Sequence, residues 1–277
     1  MRSNPRSSFK IRYLVVLVLL SALAATIGLR NQAHNWFYEP ATVSASRTTR
    51  LPRLVLWAWE RPEKLDHLDS SKTTVAFLAQ TIYLRGNRSV VRPRLQPLRV
   101  APDAPLIAVT RIESDHQDRP LLTSEQNFNA VDAIAALAKL PRVVAVQIDF
   151  DATKSERAFY QSLIIDLREK LPETTGLTIT ALASWCQSDN WLEDLPIDEA
   201  IPMLFRMGVE RNQFLASLSS GKPFRSTKCR NSVGLSTDEP ISGLPSVQRV
   251  YVFNPRSWSP ETTEIVLRKI ENEYQAP

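Results

Sequence analysis

Two aspartates one residue apart, Asp149 and Asp151, close an apolar run, Val143-Val-Ala-Val-Gln-Ile-Asp-Phe-Asp-Ala152. On a strand, alternate side chains share a face, so Asp149 and Asp151 point the same way, about 6.5–7 Å apart at the backbone. Two carboxyls that close in a cleft push their pKa values apart and leave one proton donor and one ionised group. Paired carboxylates of this kind are the requirement of glycoside hydrolysis. Asp151 also stands just before Thr153 and Ser155, where an aspartate can instead cap a following helix.

The strand that carries the pair has two unlike faces. Val144, Val146, Ile148 and Phe150 form an apolar face suited to lie under helices, whereas Ala145, Gln147, Asp149 and Asp151 run from small to acidic. That gradient suits a closed parallel barrel, packed at one end of its interior and chemical at the strands' C-terminal ends. The rest of the chain reads accordingly. Leu54–Trp59, Thr74–Leu84, Leu106–Glu113, Val143–Ala152, Gly176–Trp185, Glu199–Met207, Asn231–Asp238 and Arg249–Asn254 read as eight strands. Helices are expected from Thr123 or Ser124 onward, over Ser155–Leu171, over Glu210–Leu218 and from Ser259-Pro260 onward, with a short helix near Pro62–Leu68 and a helical turn near Trp191–Leu195. Ser89 to Leu98 is expected to be a hairpin arm. The fold class expected is α/β, a (β/α)₈ TIM-like barrel over residues 51–277 with some helices short or missing, preceded by an N-terminal apolar export or anchor helix.

In such a barrel, chemistry gathers at the C-terminal strand ends and the loops after them. Those positions carry Glu60, Gln80, Arg111, Glu113, Asp149, Asp151, Trp185, Arg206, Asp238, Glu239, Asn254 and Trp258. Asp238 and Glu239 are candidates for the base or nucleophile across the barrel from Asp149 and Asp151. Arg111 and Arg206 are candidates to orient substrate, since arginine at a barrel mouth binds carboxylate or phosphate, or depresses a neighbouring acid's pKa. Structural ion pairing is the competing role for both. Trp185 and Trp258 are candidates to stack on sugar rings. The arginines from Arg85 to Arg99 form either a solvated arm or a surface for acidic glycans.

Composition narrows the classes further. The 277 residues hold only 7 glycines but 19 prolines, and neither G-x-G-x-x-G nor a Walker pattern occurs. The formal charge of +5 arises before the body: the stretches before Tyr13 and from Arg30 to Arg53 together carry seven positive charges net, leaving −2 from Leu54 onward. A nucleic-acid partner is therefore not expected. His34, His67 and His116 lack ligand spacing and no G-x-S-x-G elbow occurs, so neither a metal nor another cofactor is expected. Residues 13–29 are an apolar run behind a basic segment, either a cleaved signal peptide or an anchor in the inner membrane, with residues 30–50 as a tether. Both readings export the body, to the periplasm in a bacterium. Cys186 and Cys229, alone in an oxidising compartment, are expected to form a disulfide.

Leu54-Val-Leu-Trp-Ala-Trp-Glu-Arg-Pro62, Phe77-Leu-Ala-Gln80, Arg92-Pro-Arg94, Gln147-Ile-Asp-Phe-Asp-Ala152 and Ser236-Thr-Asp-Glu239 resemble an uncharacterised family of exported bacterial proteins, a domain of unknown function, over most of Leu51 to Asn272. A remoter resemblance is to family 18 glycoside hydrolase barrels, whose fourth strand carries Asp-x-x-Asp-x-Asp-x-Glu. Asp149 and Asp151 match its two later aspartates, while Val146 replaces the first and Thr153 replaces the acid glutamate. Met203-Leu-Phe-Arg206 is weakly similar to that family's Met-x-Tyr-Asp, with Phe205 and Arg206 at its last two positions. The resemblance implies a glycoside-hydrolase-like barrel acting on a cell-envelope or extracellular polysaccharide. Thr153 keeps a second reading open, a non-catalytic barrel that binds a glycan or an envelope partner.

Overall fold

The computed structural model describes residues 47–208, 211–240 and 246–274, with the side chains at 212, 213, 217, 219 and 274 left aside. The apolar run at 13–29, His34 and most of the 30–50 tether lie outside these residues. Among the described residues, no helix is long and apolar enough to cross a membrane.

Eight parallel strands close into a barrel: β1 (Leu54–Ala58), β3 (Thr73–Arg85), β6 (Leu106–Ser114), β7 (Val143–Asp149), β8 (Gly176–Leu182), β9 (Glu199–Met203), β10 (Ser232–Ser236) and β11 (Arg249–Phe253). Closure is explicit in the register: Leu54 pairs with Val250 on one side of β1 and with Thr73 on the other. Alternation sorts the side chains into two layers. Val55, Trp57, Ala76, Leu78, Ile107, Val109, Ala145, Ile201 and Tyr251 fill the interior. Leu54, Leu56, Val146, Ile148, Leu177, Ile179, Val233, Leu235, Val250 and Val252 face outward. There they pack under α1 (Ser124–Leu137), α2 (Arg157–Lys170), α3 (Ala183–Gln187), α4 (Arg211–Ser219) and α5 (Pro260–Tyr274). Thr123 caps α1 through a capping box with Gln126, and Ser259 accepts from the Thr262 amide at the start of α5.

Glu199, Ser232 and Arg249 are the first residues of three adjacent parallel strands, so they meet at the N-terminal end of the barrel. There Glu199 accepts from Arg249 Nη1 (2.7 Å), Ser232 Oγ (2.7 Å) and the Tyr251 hydroxyl (2.6 Å). All four are at most 1% exposed. Arg249 Nη2 also donates to the carbonyl of Thr48. An isolated buried charge is costly, but this carboxylate accepts three donors and closes the base of the barrel. One step higher, the absence of a side chain at Gly234 makes room for Trp57, whose Cη2 would lie 2.9 Å from an added Cβ. The Trp57 indole donates to Gln147 Oε1 (2.7 Å), and Gln147 Nε2 donates to Thr178 Oγ1 (3.1 Å).

Several boundaries differ from expectation. Arg47–Arg50 form a turn packed on the barrel, with the Arg47 amide on Asp198 (3.1 Å). The body therefore begins before residue 51, inside the expected tether. Pro62–Leu68 is not helical. Glu63–Leu65 is β2, which pairs with β5 (Leu98–Val100), and Glu63 and Leu65 are buried while Lys64 is exposed, a strand's period of two. β8 ends at Leu182 and the chain enters α3, so Trp185 is helical. β9 stops at Met203, because the Leu204 amide bonds the Gly234 carbonyl and Arg206 adopts φ 52°. β7 ends at Asp149, where a tight turn joins the Ala152 amide to the Phe150 carbonyl (2.8 Å), so Asp151 lies past the strand. The expected hairpin arm is present as β4 (Arg88–Pro93), antiparallel to β3. Cys186 and Cys229 form a disulfide with Cα atoms 5.8 Å apart. It joins α3, which leaves β8, to the short turn that enters β10.

Candidate functional site

The barrel is open at the C-terminal ends of its strands. A cleft of about 690 Å³ lies there, lined by Trp57, Trp59, Arg111, Asp149, Asp151, Thr180, Met203, Phe205, Arg206, Arg211 and Phe253, with Ala183, Ser184, Gln187 and Ser188 of the α3 segment on one wall. Most of these positions follow from strand alternation. Trp57, Arg111, Asp149, Thr180, Met203 and Phe253 are inward positions at or near strand ends.

Asp149 is nearly buried at 9% exposure. The Thr180 hydroxyl donates to its Oδ1 (2.7 Å), and Arg111 Nη1 lies 3.8 Å from Oδ2. Arg111 and Asp149 are register partners on β6 and β7, which explains their meeting. Burial pushes the Asp149 carboxyl above the usual aspartate range. Thr180 and Arg111 oppose that shift, and the charges of Asp151 and Glu113 add to it. Asp151 is exposed and lines the same cleft. The site therefore holds one carboxyl disposed to keep its proton and a second open to a ligand.

Aromatic rings and guanidinium groups line much of the remaining wall. Phe205 and Phe253 stack with centroids 5.9 Å apart and planes 5° apart, and Trp59 meets Phe253 edge-on at 6.1 Å. The Arg206 guanidinium lies 5.3 Å from the Phe253 centroid, and that of Arg111 lies 6.0 Å from the Trp59 centroid.

Other expected site residues are placed elsewhere. Glu113 holds Arg111 (2.6 Å) at the edge of the cleft. Glu239 accepts the Arg206 amide (2.7 Å) and pairs with Arg211 (3.0 Å), so it positions two cleft arginines instead of facing Asp149. Asp238 is exposed and bound by Ser236. Neither acid is among the lining residues, and the cross-barrel acid/base partner expected there is not formed by them. Glu60 is exposed beside Arg92 (3.7 Å). Gln80 is buried and donates to Thr110 (3.1 Å). Asn254 is held by Thr237 (2.7 Å) and the Ser257 carbonyl.

Trp185 is buried against Trp191, with centroids 5.0 Å apart. Trp258 is also buried, donating its indole N–H to the Trp57 carbonyl (2.9 Å) and its amide to Glu63 (2.8 Å). Neither offers a ring to the cleft, whose aromatic lining includes Trp57, Trp59, Phe205 and Phe253. Of the arginines from Arg85 to Arg99, Arg85, Arg88, Arg92 and Arg99 are exposed, as in a solvated arm, and Arg94 is half-buried and structural. Arg94 donates to the carbonyls of Arg61 (2.6 Å) and Gln96 (2.9 Å), and Arg85 and Arg99 pair with Asp115 and Asp66.

Thr153, at the position of the family 18 acid, is committed locally. Its amide and hydroxyl donate to Glu156 Oε2 (2.7 and 2.6 Å), while Ser114 donates to Oε1. Burial would raise the Glu156 carboxyl, but these hydrogen bonds outweigh it and hold it below the usual range. Glu156 is thus a capping carboxylate and not a stand-in acid.

Phe205, Phe253, Thr180 and Arg211 were not singled out from the sequence. Phe253 and Thr180 were accessible by carrying the alternation of β7 over to β11 and β8. Arg211 sits on α4 and no period in the sequence points it at the mouth. No protein-family model matches this chain, and no curated protein matches it.

Proposed function

We propose that this is an exported barrel of glycoside-hydrolase type that takes a polysaccharide of the cell envelope or its surroundings into the cleft at the barrel mouth. The observation that carries the proposal is the placement of Asp149 and Asp151 in one cleft, facing an aromatic wall of Trp59, Phe205 and Phe253. Sugar rings present C–H faces that pack on such rings, and their hydroxyls suit the polar side. Burial raises the Asp149 carboxyl above the usual aspartate range, against the opposing pull of Thr180 and Arg111, and Asp151 is exposed beside it in the same cleft. In hydrolysis the pair would protonate the departing glycosidic oxygen as its bond to the ring carbon breaks, and the carboxylate left behind would steady the positive charge on the ring and take back a proton from the water that attacks it. The Cys186–Cys229 disulfide supports an oxidising compartment and hence export. The segment at 13–29 would direct it, as a cleaved signal or as a retained inner-membrane anchor.

The test is release of reducing ends from a polysaccharide panel by the full chain, compared with Asp149→Asn and Asp151→Asn. Turnover that survives both substitutions would remove the pair from the chemistry. A second reading, binding without turnover, is favoured by two observations. Thr153 has no carboxyl and is spent on Glu156, and Asp238 and Glu239 lie outside the cleft wall. Its signature is glycan binding by wild type with no product.

A further inference from the structure

The charges around the cleft do not cancel residue by residue. Arg111 is matched by Glu113 (2.6 Å) and faces Asp149 (3.8 Å), and Arg211 is matched by Glu239 (3.0 Å). Arg206 is exposed, lines the cleft, and has no carboxylate in ion-pair range among the described residues. It is nonetheless held in place. Its amide donates to Glu239 (2.7 Å), its backbone takes φ 52°, and its guanidinium lies over Phe253, which is itself stacked on Phe205. A guanidinium resting on a ring keeps its edge N–H groups available, and that planar fork matches a carboxylate in bidentate fashion.

The geometry points to an acidic sugar as ligand: Arg206 receives the carboxylate of a uronic-acid residue, with Asp149 and Asp151 meeting the neighbouring part of the chain. This rests on the glycan reading above and narrows its substrate class. A singly charged group suits the cleft better than a doubly charged phosphate, since whatever negative charge the aspartate pair carries repels added negative charge.

The full chain is titrated calorimetrically with an oligogalacturonide, with its methyl ester, and with a sulfated oligosaccharide of neutral backbone. The protein is wild type or Arg206→Gly. Glycine adopts φ 52° without strain, and the melting temperature is measured beside the binding, so that loss of binding with the fold retained is read as loss of the guanidinium. Wild type is expected to bind the acid at least about tenfold more tightly than the ester, with the preference shrinking in salt. R206G is expected to lose the preference, its affinity for the acid falling to its affinity for the ester. Equal binding of acid and ester by wild type, or a preference retained in R206G, overturns the uronate assignment and leaves the glycan site standing. Binding of the sulfated ligand without the uronide replaces carboxylate by sulfate ester and also overturns it. Failure of every oligosaccharide to bind overturns the glycan reading together with this one.

Discussion

Removal of the disulfide is the sharpest test of how the cleft wall is held. Cys186 and Cys229 are both fully buried, and the bridge closes a loop 43 residues apart in sequence. That loop contains β9, α4 and the Arg206 segment, and its start is the α3 wall of the cleft. The chain-entropy relation gives about 4 kcal/mol for closing a loop of that length at about 25 °C. Domains are stable by only about 5–15 kcal/mol, so the loss is a large share of the total. With a guanidinium m-value of about 5 kcal/mol/M for a body of this size, the midpoint of Cys186→Ala/Cys229→Ala should fall by about 0.8 M. The crosslink is lost once, whichever cysteine goes, so Cys186→Ala alone should cost nearly as much as the double variant. The assay is equilibrium unfolding followed by fluorescence, for wild type, both single variants and the double. A double variant within about 1 kcal/mol of wild type would refute the argument, as would single losses that add up to the double.

Three further outcomes follow from the buried polar groups and the packing. Burial raises the Asp149 carboxyl in the folded state, so wild-type stability should fall as pH rises from about 4, the unfolded value, through the higher folded value, and then level off. Asp149→Asn lacks that loss, so its melting temperature relative to wild type should climb from pH 4 to pH 7; a difference independent of pH would count against the burial argument. Arg249→Met leaves the Glu199 carboxylate buried without its cation and should cost about 3–5 kcal/mol, read by thermal unfolding; a near-neutral result would mean that Ser232 and Tyr251 suffice to hold the charge. Gly234→Ala drives a methyl against Trp57 and Ile201 inside the barrel and should cost about 1–3 kcal/mol with a shift in tryptophan emission; unchanged stability and emission would show that the interior has slack.

The barrel and the Asp149 strand were legible because both rest on local alternation. A run such as Val143–Phe150 has two faces of different polarity, and only one arrangement buries both an apolar and a small-to-acidic face. Strand ends were less legible because they are set by contacts distant in sequence. β9 stops where the Leu204 amide finds Gly234, and Glu63 is in a strand because Pro97 and Trp258 supply its partners. The same limit applied at the site. Asp149 and Arg111 were reachable from strand position, and Asp151 and Arg206 from their place just after strand ends. Trp185 and Trp258 were not separable from Trp59 by type alone, since burial in the outer layer depends on α3 and on the loop that leads to α5. Glu239 and Arg211 meet only because two loops after neighbouring strands converge.

The cluster of Glu199, Ser232, Tyr251 and Arg249 lies at the opposite end of the barrel from the cleft, and it shares no residue with the cleft wall. The charged base and the cleft wall therefore draw on separate sets of side chains, joined through the layer of Trp57, Gln147 and Thr178 between them. Such a division makes the mouth evolvable. A change at a position like Arg206 alters what happens at the rim while the base continues to hold three strands in register. Chains with the same base and different mouths would fold alike and recognise different ligands.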